Sequence, residues 1–175
     1  MAESGKLLNK KFENVQFEEQ VVHLNRVSKT VGGGRIGSFS SLVAIGNKNG
    51  CIGLGSGKAF DTSDSIKKAI NDSKKNLYQI VLTKDRTIPH VVYGKSGATE
   101  VVLRPAAIGR GIIAGGAMRT ILECLGVKDV VAKCIGSSNK HNLSYATINA
   151  LLKLKSGKYY SDLKNKRVDF NKSTN

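Results

Sequence analysis

Val21-Val-His-Leu-Asn-Arg-Val-Ser-Lys-Thr-Val31 carries β-branched residues on a half-alternating pattern and reads as a strand. Gly32-Gly-Gly-Arg35 follows, too glycine-rich to be anything but a loop. Ile36–Ile45 reads as a second strand, and Asn47-Lys-Asn-Gly50 holds an Asn-Gly turn that returns Cys51–Lys58 as its hairpin partner. Asp61-Thr-Ser-Asp64 then offers helix N-caps. Ile66, Ile70, Ser73 and Leu77 mark one face at helical spacing, beside Lys67, Lys68, Lys74 and Lys75. The order is strand, strand, strand, helix.

Downstream, the polar run Thr83-Lys-Asp-Arg-Thr87 separates this unit from a second one of the same kind. Ile88–Tyr93, a Gly94-Lys-Ser-Gly97 turn and Thr99–Arg104 predict a hairpin that Pro105 ends. The loop Gly109–Gly116 leads into a helix with Met118, Ile121, Leu122 and Leu125 inward and Gly126 as its cap. Asp129–Ile135 reads as a strand and Asn142–Lys155 as a helix with Ile148, Leu151 and Leu152 inward. The fold class is therefore α+β, with an extension over 1–19, domains at 20–83 and 84–155, and a basic tail over 156–175.

The 175 residues carry 28 Lys+Arg against 13 Asp+Glu, a formal net charge of +15. That excess requires a polyanion: nucleic acid, an acidic membrane surface or an acidic protein. Residues 1–20 sum to −1, 21–83 to +6, 84–150 to +5 and 151–175 to +5. The charge thus belongs to the folded body, as in a protein embedded in its polyanion. No apolar run is long enough to span a bilayer. Aromatics are 6 % and tryptophan is absent, so base stacking is expected to contribute little to binding. Cys51, Cys124 and Cys134 are odd in number and widely spaced, which suits neither a disulfide framework nor a zinc site. A reducing compartment follows, and the N-terminus lacks the apolar core of a signal peptide, so a cytoplasmic protein is expected.

Gly53-Leu-Gly-Ser-Gly-Lys-Ala59 imitates a phosphate loop, but Ile52 and Ala59 stand where a Walker sequence needs glycine and a hydroxyl. It also imitates the Gly-Leu-Gly-Ser loop of the GHMP small-metabolite kinases, without a carboxylate pair to hold magnesium. The alternating glycines instead make one bare face of a strand, suited to close approach by another backbone or by RNA. His23, His90 and His141 have no Cys, Asp or Glu at relay or ligand spacing, so no catalytic residue, metal or cofactor is expected.

The candidate RNA-binding residues are Arg26, Lys29, Gly32, Gly33, Gly34, Arg35 and Lys58, where slim glycines let cations reach phosphate. Ser137, Asn139 and Lys140 join them from a polar loop, for which helix N-capping by Asn142 is an equal local explanation. His141 suits a place beside phosphate. Gly109, Arg110, Gly111, Gly115, Gly116 and Arg119 suit anion binding or tight protein packing alike.

Val27-Ser-Lys-Thr-Val-Gly-Gly-Gly-Arg-Ile36, Gly53–Ala59, Gly111-Ile-Ile-Ala-Gly-Gly-Ala-Met-Arg119 and Gly136-Ser-Ser-Asn139 occur in the order and spacing of one family. Over about residues 20–155 the chain closely resembles bacterial small-subunit ribosomal protein S five. The resemblance implies a double-stranded-RNA-binding-like first domain and a second α+β sandwich domain with a left-handed crossover, shared with the GHMP kinases. It implies a non-enzymatic protein that binds rRNA and supports subunit assembly and translational accuracy, monomeric within the ribosome. Val31–Arg35 resembles the family's rRNA-reaching loop, and Gly111–Arg119 the face toward ribosomal protein S four. Ribosomal protein S eight is the other implied neighbour, and the channel through which mRNA enters lies nearby; no membrane or small-molecule substrate is implied. Gly32 departs from the family's frequent lysine, Arg110 from a small or polar residue, and Lys140-His141 from proline followed by an apolar residue.

Overall fold

The computed structural model describes residues 5–6, 16–83, 86–155, 159 and 163. In chain order its elements begin with β1 (Gly5–Lys6), β2 (Glu18–Val31), β3 (Gly34–Gly46), β4 (Cys51–Ala59), α1 (Thr62–Lys75) and β5 (Leu77–Gln79). The five strands form one antiparallel sheet in the order β1-β5-β4-β3-β2. Glycines 32 and 33 join β2 to β3, with Val31 opposite Gly34. The expected Asn-Gly turn joins β3 to β4: Asn47 Oδ1 accepts the backbone N–H groups of Asn49 at 2.8 Å and Cys51 at 3.0 Å.

Two faces follow from strand alternation. Val43, Ile45, Cys51 and Leu77 pack with Ala69 under α1. Leu42, Ala44, Ile52 and Leu54 point the other way, into a larger core. The helix face differs from the one that periodicity predicts. Ser65, Ala69 and Ser73 are buried, Ile66 and Ile70 flank them half-buried, and Leu77 belongs to β5. The cause lies opposite, on β4, whose glycines leave room only for small side chains.

The remaining elements are β6 (Val92–Ser96), β7 (Thr99–Pro105), β8 (Ile112–Ile113), α2 (Gly116–Leu125), β9 (Val130–Gly136) and α3 (Lys140–Leu152). Their sheet runs β6-β7-β9-β8, antiparallel except for β8 and β9, which are parallel and connected through α2. Several boundaries move from their expected places. Ile88 is buried outside any strand, because Pro89 cannot donate to a ladder, and β6 starts at Val92. Gly94 lies inside β6 rather than in the turn: a Cβ there would sit 2.1 Å from Ala146 O and 2.5 Å from Ala150 N of α3. The turn is at Gly97, where φ is +55°. Helix α3 starts at Lys140 because Asn139, not Asn142, is its N-cap, with Oδ1 accepting the His141 N–H at 3.2 Å. Helix α2 buries Met118, Ile121, Leu122 and Leu125 as expected. Gly126 closes it in the left-handed region, donating to Glu123 O at 3.0 Å while Val127 donates to Leu122 O at 3.1 Å.

The two sheets share one core. Leu42, Ala44, Ile52 and Leu54 of the first belong to the same cluster as Val101, Leu103, Met118, Ile121, Leu122 and Leu151 of the second. The β3–β4 turn is sewn to the end of α2: Lys48 N–H donates to Cys124 O at 3.1 Å and Gly50 N–H to Leu125 O at 3.0 Å.

Cys124 lies in this interior and Cys51 in the cluster under α1, and burial pushes their thiols from 9.0 up to about 12 and about 11 respectively. Both are therefore protonated and inert at pH 8, whereas Cys134 is half-buried. Maleimide at pH 8 should modify Cys134 first, with the other two reacting only in denaturant. Raised thiol pKa values favour the fold below about pH 9, and that contribution is lost as pH climbs toward 11–12. Equal labelling of all three thiols in native buffer would contradict this placement.

Candidate nucleic-acid interface

The outer half of the β2–β3 hairpin, about residues 24–37, runs beyond the buried core with nearly every side chain exposed. Cross-strand register sorts its cations onto two faces. Arg26 opposite Phe39, Ser28 opposite Gly37 and Thr30 opposite Arg35 share one face. There Arg26 and Arg35 border a depression of about 310 Å³ with Val27, Ser28 and Gly37. The Arg26 guanidinium lies across Gly37, 3.6 Å from where a Cβ would stand. Lys29 opposite Ile36 and Lys58 opposite Ser40 occupy the other face. A second depression of about 320 Å³ brings Lys29, Ile36, Ser38, Lys58 and Ala59 together with Phe60 and Lys68.

Electrostatics along this hairpin are one-sided. No Asp or Glu occurs between Gln20 and Phe60. On the N-terminal side of this stretch the flanking acids are paired, Glu18 with Lys48 at 2.6 Å and Glu19 with Lys74 at 3.7 Å, and on its C-terminal side Asp61 follows Phe60. The hydrogen bond and charge of Glu18 raise the Lys48 pKa. Among the described residues, Arg26, Lys29, Arg35 and Lys58 form no salt bridge.

The tip glycines divide by cause. Gly34 needs glycine for its φ of +141°. A Cβ on Gly32 or Gly33 would meet nothing within 4 Å, and neither has a positive φ. The fold itself therefore places no steric demand for glycine at these two positions.

The β4 glycines are the reverse case, and they decide between the two readings of that bare face. A Cβ on Gly53 would lie 2.6 Å from Ser73 O, one on Gly55 2.2 Å from Ser73 N, and one on Gly57 2.2 Å from Ser65 O. The face is filled by the backbone of α1, so neither RNA nor a nucleotide can use it. Complementary spacing in sequence carries this: Gly53, Gly55 and Gly57 at period two meet Ser65, Ala69 and Ser73 at period four.

The other candidate residues lie elsewhere. Gly136 and Ser137 border the β6–β7 turn, with Ser137 N–H donating to Ala98 O at 3.1 Å. Ser137 Oγ accepts the Asn139 N–H at 3.3 Å, and Asn139 Oδ1 is taken by its cap, which leaves the Ser137 hydroxyl proton and the Asn139 amide NH₂ as donors beside exposed Lys140. Neither depression beside the hairpin is lined by a residue of this loop. Gly109 (φ +87°) and Gly111 (φ +74°) shape the loop around β8, where Gly111 N–H donates to buried Asp129 Oδ1 at 2.7 Å. Arg110 is exposed, and Arg119 is steered by Glu123 one turn on, at 3.1 Å. Gly115 is the N-cap of α2, and a Cβ on Gly116 would meet open space.

Family models match both halves of this architecture: ribosomal protein S5, N-terminal domain, over residues 17–81, and ribosomal protein S5, C-terminal domain, over residues 94–167. The chain belongs to the ribosomal protein S5 family. It is 46 % identical over 156 residues to small ribosomal subunit protein uS5 of Paramagnetospirillum magneticum, covering 89 % of this chain and 74 % of that one. Protein uS5c of Rhodomonas salina is 48 % identical over 145 residues, covering 83 % and 86 %. Protein uS5 of Pelagibacter ubique is 47 % identical over 150 residues, covering 86 % and 88 %. Like the S five family at large, the chain is a structural protein and not an enzyme. Among the described residues no His, Cys, Asp or Glu cluster could hold a metal ion, and no helix is long and apolar enough to cross a membrane.

Proposed function

We propose that this chain is a cytoplasmic, rRNA-binding structural constituent of the small ribosomal subunit, with the β2–β3 hairpin as its principal RNA contact. The observation that carries this is charge along the hairpin and the adjoining β4: among the described residues Arg26, Lys29, Arg35 and Lys58 form no salt bridge, and the hairpin tip is slimmer than the fold requires. Such a finger can enter a narrow groove and meet phosphates from both of its faces. Ser137, Asn139 and Lys140 add a second, separate phosphate or ribose contact. Around α2, Gly109, Arg110, Gly111, Gly115, Gly116 and Arg119 form the face toward ribosomal protein S four, through which the chain supports assembly and decoding accuracy. Ribosomal protein S eight is the second protein neighbour, and the mRNA path is close by. Of the domains 20–83 and 84–155, the first carries the principal RNA contact and the second carries both the protein face and the smaller RNA contact, although one core unites them.

Sucrose-gradient sedimentation of a cell lysate tests this reading. The chain should co-migrate with small subunits and remain there through a moderate salt wash. Arg35→Ala should lower that incorporation severalfold while the free protein melts as the parent does. Migration with free protein at low salt would overturn the assignment to the subunit.

A further inference from the structure

Phe60, directly after β4, is 73 % exposed, among the most exposed large apolar side chains of the described residues. It does not stand alone. Lys29, Lys58 and Lys68 line one depression with it, and exposed Ile36 is the other large apolar residue of that lining. Lys68 Nζ donates to the Lys58 carbonyl at 3.4 Å, tying α1 to the end of β4 and fixing one ammonium at the rim. An apolar ring flanked by three cations matches one chemistry: a nucleobase whose own phosphate and neighbouring phosphates lie within reach of the ammonium groups.

We infer that the Phe60 depression receives one unpaired nucleotide of the bound RNA, its base stacked on the phenyl ring and its phosphates on Lys29, Lys58 and Lys68. The inference rests on the rRNA-binding reading and deepens it. It makes the hairpin's lysine face selective for a bulged or flipped-out base, while the arginine face reads phosphates regardless of pairing. It also assigns stacking a role that the low aromatic content had suggested to be small.

The test uses the full chain and two short RNA hairpins, identical except for one bulged nucleotide, with fluorescence anisotropy as readout. The parent chain should prefer the bulged RNA by about 5- to 150-fold, the range that one stacked base provides. Phe60→Ala should abolish that preference, and Phe60→Trp should retain it, since Trp keeps a stacking face. Exposure of the side chain keeps folding out of the comparison, which a thermal melt verifies. Three results would overturn the inference: no preference in the parent chain, a preference that survives Phe60→Ala, or an equal loss on heparin, a polyanion without bases. In each of these cases salt-dependent RNA binding by the parent leaves the hairpin reading standing. Absence of salt-dependent binding to either RNA would instead defeat that broader reading.

Discussion

Gly55→Ala is expected to destabilise the protein by about 4 kcal/mol, among the larger effects a single methyl group can have. The added Cβ would lie 2.2 Å from Ser73 N, 2.4 Å from Ala69 O and 2.7 Å from Ser73 Cα, all backbone atoms of α1. No rotamer change relieves contacts with backbone, so α1 must retreat from the sheet. Its retreat would open the cluster of Val43, Ile45, Cys51, Ala69 and Leu77, each large member of which contributes roughly 1.5–3 kcal/mol by burial. For a chain of this length a loss of that size lowers Tm by roughly 8–16 °C. Gly33→Ala is the matched control: its Cβ meets open space, so stability should stay within about 0.5 kcal/mol of the parent. Urea titrations of both variants, followed by circular dichroism, make the comparison. Equal midpoints would show that α1 does not pack on β4 as described.

Removing both hairpin arginines, as Arg26→Ala with Arg35→Ala, should weaken binding to a small-subunit rRNA fragment by roughly 30- to 100-fold at moderate salt, given about 1 kcal/mol or somewhat more per charged contact. The fold should be indifferent. Both side chains are exposed, neither bridges to a carboxylate among the described residues, and they border solvent rather than core. Gly37 supplies the space across which Arg26 lies, so loss of Arg26 leaves no buried cavity. An affinity unchanged in the double variant, with the fold verified, would move the RNA contact away from this face.

Much of this fold is legible in the sequence. Strand alternation and the Asn47–Gly50 turn define the β2–β3–β4 meander because backbone chemistry alone sets them. The Met118, Ile121, Leu122, Leu125 stripe and the Gly126 cap define α2 for the same reason. Where pattern failed, a long-range partner had overridden local preference. Leu77 continues the helical period but is drawn into β5 by pairing with Gly53. Gly94 resembles a turn residue but sits in β6, since α3 lies against it. The very short strands β1 and β8 carry too few residues for any period to register.

The candidate site was legible in its cations and less so in its apolar part. Arg26, Lys29, Arg35 and Lys58 stand out by charge beside glycine. Which of them share a face follows only from the Val31–Gly34 and Ser40–Lys58 registers. Phe60 has no apolar neighbours at helical or strand spacing, so periodicity ignores it, and its lysine surroundings come from three different elements. Gly53–Ala59, by contrast, looked like a ligand loop because helix-packing glycines and phosphate-binding glycines are the same residues. Only the position of α1 tells them apart.

The most direct test of phosphate contact by the hairpin is the salt dependence of rRNA affinity for the parent chain and for Arg26→Ala with Arg35→Ala. Log affinity against log salt should be linear and steep for the parent, falling by about 0.7–0.9 per phosphate engaged. The double variant should be shallower by roughly 1.4–1.8, the share of two contacts. A flat line for the parent, or two parallel lines, would contradict it.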